Sequence, residues 1–171
     1  MRSHLRTAVT LAVLAVVLVG GGLWGWSSFS KPFPHHGSTS TAPCTKVQVA
    51  KGDRISAGRL LVSVYNGSDR SGLADRTAQQ LADQGFGVGT VGNAPKNTKV
   101  PFAQVWSTKA DDPGVKLVLS RLGSLAHVVP KRMKGAPGIV VVVGNLFQKP
   151  VKGLPSVKVT QDTTICSPPT Q

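Results

Sequence analysis

Residues 60–91 read LLVSVYNGSDRSGLADRTAQQLADQGFGVGTV. The first six are β-branched or apolar and nearly continuous, which predicts a strand over 60–65. Asn66-Gly67-Ser68 then turns the chain. Ser71 is placed to cap a helix, and Asp75 complements the dipole of its first turns. Over 72–84, Ala74, Thr77, Ala78, Leu81 and Ala82 share one helical face. Asp75, Arg76, Gln79, Gln80 and Asp83 take the other, so the helix is amphipathic. Gly85 stops it, and 86–91 alternates as a second strand until Asn93-Ala94-Pro95 ends it.

The same order recurs downstream. Residues 100–106 predict a strand, and Asp112-Pro113 supplies an N-cap and a first-position proline together. Val115, Val118, Leu119 and Leu122 line one face of the helix that follows, and Gly123 closes it. Residues 126–129 are short and extended. The run IVVVV at 139–143, bounded by Gly138 and Gly144, has the fully apolar character of a central strand. Residues 46–49 and 156–160 predict short edge strands. The expected fold is α/β: a two-layer sandwich with a mixed sheet of about five strands and two helices packed on one face.

Towards the N-terminus the character changes. Residues 7–26 carry no charge, and about 20 such residues span a bilayer as a helix. Arg2 and Arg6 precede them, and Trp24 and Trp26 stand at the far end as interfacial aromatics do. The expected organisation is therefore a cytoplasmic N-terminus over 1–6, a transmembrane helix over 7–26, a linker rich in Ser, Thr, Pro, Gly and His over 27–43, an extracytoplasmic domain over 44–166 and a tail over 167–171. A cleaved signal peptide is the alternative for the first segment; the long apolar run and the lack of a clean Ala-x-Ala favour an uncleaved anchor. Both export the remainder.

Export bears on the two cysteines. Cys44 and Cys166 bracket the domain, and a pair in an exported chain points to a disulfide. His35-His36 in the linker is a solvated spacer rather than a metal site, because three or four convergent ligands are needed and the other histidines, His4 and His127, are distant in sequence.

There are 20 Lys and Arg against 7 acidic residues, all Asp, for a formal charge of +13. The absence of Glu argues against a helix-dominated protein. From Asn93 onward 11 basic residues face 3 Asp. Such a surface attracts polyanions, and location selects among them. An exported domain is not expected to meet nucleic acid, and stacking aromatics are scarce. Lys131, Arg132 and Lys134 form the densest basic cluster, with Lys149 and Lys152 further on. The loop 66–72 joins a strand to a helix N-terminus, where Arg70 and Arg76 are placed to hold a phosphate or carboxylate. An ordinary capped turn explains the same residues.

Gly87-Val88-Gly89-Thr90-Val91-Gly92 matches G-x-G-x-x-G, but its glycines follow a helix and lie within a strand. A dinucleotide site needs them to leave a strand and open a helix. They mark a thin, closely approached strand instead, and no cofactor is expected. No nucleophile motif, zinc motif or paired acid and base stands out, so no catalytic residue is assigned and the protein is expected not to be an enzyme.

Taken together, Val62-Ser63-Val64-Tyr65-Asn66-Gly67-Ser68, Ser71-Gly72-Leu73-Ala74, Leu81, Gly85-Phe86 and Gly92-Asn93-Ala94-Pro95 resemble the LytR C-terminal domain family. The resemblance continues through Asp112-Pro113, Val118 and 139–145, and so covers about 60–147. It implies an extracytoplasmic α/β domain. Larger relatives append it to LytR-CpsA-Psr enzymes, which transfer phosphate-linked polymers to peptidoglycan. This chain looks like the standalone, membrane-anchored form seen in actinobacteria and linked to envelope integrity, and the transferase activity is not carried over.

The expectation is a non-enzymatic envelope module, single-pass in the cell membrane. Its partners would be a wall polymer (peptidoglycan or an anionic glycopolymer) or a LytR-CpsA-Psr-type wall-assembly protein, with Arg70, Arg76, Lys131, Arg132 and Lys134 as contacts. The alternatives are a wall-polymer-modifying enzyme and a protein lying on anionic lipid headgroups.

Overall fold

The computed structural model describes residues 44–169. The expected cytoplasmic end, membrane helix and linker fall on 1–43, outside the described residues. Among the described residues no helix is long and apolar enough to cross a membrane.

The order of elements is β1 (Thr45–Val49), β2 (Arg54–Ser56), a 3-10 turn (Ala57–Arg59), β3 (Leu61–Asn66), α1 (Leu73–Asp83), β4 (Gly87–Asn93), β5 (Ala103–Trp106), α2 (Pro113–Leu122), β6 (His127–Val129), β7 (Ile139–Val143), β8 (Ser156–Lys158) and β9 (Thr163–Ser167). Five strands form one sheet in the order β4-β3-β7-β5-β6. β3 is parallel to β4 and β7, β5 is parallel to β6, and β5 is antiparallel to β7. Each helix thus connects a parallel pair, as a crossover must, and β7 joins the two β-α-β units. The mixed sheet with two helices is the expected one.

The side-chain alternation of the strands separates two faces. Val64, Val141 and Val105 stand side by side across β3, β7 and β5. They share one buried cluster with Leu73, Ala78 and Leu81 of α1 and Val115, Val118 and Leu122 of α2. Both helices therefore cover this face. Burying one such valine or leucine contributes about 1.5–3 kcal/mol. On the other face Tyr65, Val140, Val142 and Trp106 form a smaller cluster under Ala94, Val100, Met133 and Ala136. Chain without regular structure covers this side, which is why β7 is apolar throughout.

Ser63 fastens that cover. Its buried Oγ donates to the Pro137 carbonyl at 2.6 Å and accepts from the Thr90 amide at 3.1 Å, where the β3–β4 register shifts. Gly89 lies so close that a Cβ there would stand 2.7 Å from Ser63 Oγ and 3.0 Å from Pro137. The glycines of 87–92 accordingly belong to a thin, closely approached strand.

The outer strands differ from expectation. β1 pairs with β9, and β2 with β8, as two separate antiparallel ribbons rather than as edges of the main sheet. The disulfide Cys44–Cys166 is present beside the first ribbon, where Lys46 faces Cys166. A second correction concerns α1. Its N-cap is Gly72, left-handed at φ 69°, with no side-chain cap, rather than Ser71. In α2 the expected cap holds: Asp112 accepts from the Gly114 and Val115 amides, with Pro113 at the start. The core closes within 44–169, so this part of the chain is a folding unit in its own right.

Candidate functional site

The five cations singled out from sequence fall into two groups. β3 and β7 run in parallel and end at Asn66 and Val143. α1 starts from that end, with Arg70 in the loop before it and Arg76 in its first turns. β5 and β6 run the other way and end at Trp106 and Val129, opposite the start of β7. Lys131, Arg132 and Lys134 lie in the loop that crosses there. The two groups stand at opposite ends of the central strands.

At the first end the loop 66–72 is closed by its own hydrogen bonds. Asn66 Oδ1 accepts from the Ser68 amide and hydroxyl, and Asn66 Nδ2 donates to the Arg70 carbonyl. Arg70 Nη1 donates to the carbonyls of Phe147 at 2.7 Å and Asn145 at 3.3 Å. It ties the loop after β7 to the loop before α1. Arg76 is exposed and reaches the Ser71 carbonyl at 3.4 Å.

At the other end the chain encloses a cleft of about 360 Å3. Its inner wall is apolar, formed by Leu60, Trp106, Val115, Met133, Ile139 and Ile165. Lys109, Asp112 and Arg132 line it as charged groups, with Thr108, Thr164 and Cys166 beside them. Trp106 is positioned as the last residue of β5, and its indole Nε1 donates to Gln104 Oε1 at 3.0 Å. Lys131 Nζ sits 5.3 Å from the indole centroid, a cation over an aromatic face. Arg132 is set by Thr108, whose Oγ1 accepts from Nε at 3.3 Å and Nη2 at 3.0 Å. A guanidinium has five N–H donors, so its Nη1 edge is left for another acceptor. Asp112 is committed to capping α2, which satisfies that helix end from within.

The cleft is built by elements far apart in sequence: the turn before β3, the end of β5 with the start of α2, the loop 130–138 and β9. Sequence reasoning found Arg132 by its basic neighbours. It missed Trp106, Lys109 and Met133; the one local signal is that Lys109 follows a strand end and precedes a helix cap. Lys134 is exposed in the same loop. Among the described residues no group of three His, Cys, Asp or Glu gathers as a metal site.

A mixed α/β domain of two β-α-β units joined through a central strand, carrying a basic, half-apolar cleft, is thus in hand. The family model described as LytR cell envelope-related transcriptional attenuator matches residues 59–147, over half of the chain. The chain belongs to this family, the LytR C-terminal domain family. Among solved structures, the soluble domain of a conserved hypothetical secreted protein (Rv2700 ortholog) from Mycobacterium marinum is similar at 22% identity and a TM-score of 0.46, over 60% of this chain and 77% of that one. The C-terminal domain of RV0431 is similar at 29% identity and a TM-score of 0.36, over 68% of this chain and 93% of that one. No curated protein matches.

Proposed function

We propose that the protein is a non-enzymatic module of the cell envelope, tethered to the membrane by residues 7–26. Its basic domain binds an anionic wall polymer, or a wall-assembly protein, and so supports envelope integrity. The observation that carries this reading is unbalanced charge. Setting aside Arg2, Arg6 and Lys31 leaves 17 basic residues against 7 Asp from Cys44 onward. One salt bridge, the exposed Lys116–Asp111 at 3.1 Å, is found among the described residues. The rest of the positive charge faces solvent or neutral acceptors.

The layout favours an extended ligand. Arg70 with Arg76, and Lys131 with Arg132 and Lys134, are separated by the length of the strands, about 17 Å for five residues. A small anion reaches one group; a polymer reaches both. The reading as an enzyme is the weaker one, since the one carboxylate lining the cleft, Asp112, holds the end of α2.

The test is co-sedimentation of the oxidised domain, residues 31–171, with purified cell walls. Intact walls are compared with walls stripped of phosphate-linked polymers, at low and high salt. Binding lost on stripping and weakened by salt is the expected result. Binding indifferent to both points to glycan or peptide, and no binding at all removes the wall polymer as ligand.

A further inference from the structure

We propose that the cleft beside Trp106 is a second binding site, sharing Arg132 with the polymer surface, for a single-tailed amphipathic phosphate. Its apolar wall takes the tail, and Arg132 with Lys109 takes the head.

Three features of the cleft lead there. Its volume of about 360 Å3 falls in the range of small-ligand sites. At about 30 Å3 per water-sized group, that is room for roughly a dozen such groups, which suits one chain and not two. Its wall is mixed: Trp106, Leu60, Val115 and Ile165 are buried and Met133 and Ile139 half-buried on the apolar side, and Ser107, Thr108 and Thr164 supply the polar side. Finally, the charge lies at its outer side. Lys109 and Arg132 are exposed lining residues, and the one lining carboxylate, Asp112, is held by the α2 amides.

The head-group chemistry follows from these cations. Thr108 fixes the Arg132 guanidinium through Nε and Nη2 and so directs the remaining edge. A fixed guanidinium edge matches two oxygens of a phosphate or carboxylate. A second cation on the same cleft favours the more highly charged phosphate monoester. Two sources share this chemistry: a straight-chain lipid phosphate and an isoprenoid phosphate.

Trp106 makes the test direct, because it is the only tryptophan after residue 26. The oxidised segment 31–171, prepared without detergent, is titrated with dodecyl phosphate, farnesyl phosphate, dodecyltrimethylammonium and inorganic phosphate, each below its micellar concentration. Trp106 emission is the readout, and native mass spectrometry gives the stoichiometry. Saturable one-to-one binding of one or both amphiphilic phosphates is expected, with little response to the other two probes. The better of the two identifies the straight-chain or the isoprenoid source.

Two variants locate the site. Thr164→Phe places a ring in the cleft from an exposed position on β9 and should abolish binding. Arg132→Gln should weaken the phosphates about tenfold or more while leaving the cationic probe unchanged. Circular dichroism checks that both variants fold. Equal response to the cationic amphiphile, equal binding of inorganic phosphate, or full binding by folded Thr164→Phe overturns the proposal. Wall co-sedimentation of Thr164→Phe should match the unaltered domain, so failure of the cleft and failure of the polymer reading are told apart.

Discussion

Replacing both Cys44 and Cys166 by serine tests what holds the ends of this domain. The disulfide closes a loop with a sequence separation of 122. In the chain-entropy model such a loop restricts the unfolded chain by about 16 cal/mol/K, or about 5 kcal/mol at 25 °C. The serine pair leaves the β1–β9 ribbon with its five paired positions, so the folded state loses little of its own. For a domain of this size one kcal/mol corresponds to about 4 °C in Tm. The full entropic effect is then about 20 °C, and a compact unfolded state reduces it towards about 10 °C. The assay is thermal unfolding followed by far-UV circular dichroism on the oxidised domain, the double-serine variant and the reduced native sequence. The last two should coincide. A shift under about 5 °C refutes the reasoning, because it means that the unfolded chain already keeps its ends together or that the ribbon opens without the core.

The remaining predictions concern single side chains. Asp112→Ala should cost about 1 kcal/mol, about 4 °C in Tm, through loss of the α2 cap, whereas Ser71→Ala should be neutral because Gly72 occupies the cap of α1. Gly138→Ala should destabilise by about 2–5 kcal/mol in urea unfolding, since φ is +72° and the new methyl meets the Leu61 carbonyl group. Arg121→Met should cost about 2–4 kcal/mol in the same assay. Its buried guanidinium bonds Gln84 Oε1 at 3.1 Å and the Leu154 carbonyl at 2.7 Å and lies 5.9 Å from the Phe86 ring centroid, and the variant leaves both acceptors unmatched.

What was legible from sequence was local. β7 announces itself because it is buried on both faces, and α2 because cap, proline, apolar stripe and terminal glycine agree. The amphipathic face of α1 is also plain, though its cap was misplaced by one residue: Ser71 has the right chemistry, but Gly72 takes the left-handed backbone. Strand partners were not legible. β2 and β8 are three residues each and pair about a hundred residues apart, Arg54 with Lys158. Strands that short carry no periodicity, and nothing in either names its mate. The cleft was hidden for the same reason, being assembled from four separated segments. Arg70 shows a further limit. Its charge and its place before a helix suggest an anion contact, but nothing local shows that it also holds the carbonyls of Asn145 and Phe147, more than seventy residues away.

The position of β7 has a consequence for the making of the protein. It is the middle strand of the sheet, yet all four of its companions precede it in the chain. During synthesis from the N-terminus, β3-α1-β4 and β5-α2-β6 are complete before residues 139–143 exist. Until then β3 and β5 each hold an open edge, and no strand pairing joins the two units. The sheet becomes one body only when the keystone arrives, about four fifths of the way along, and the disulfide closes later still, at residue 166. A chain ordered this way stays open until late, and a nascent chain truncated before Ile139 has two half-sheets and no whole one.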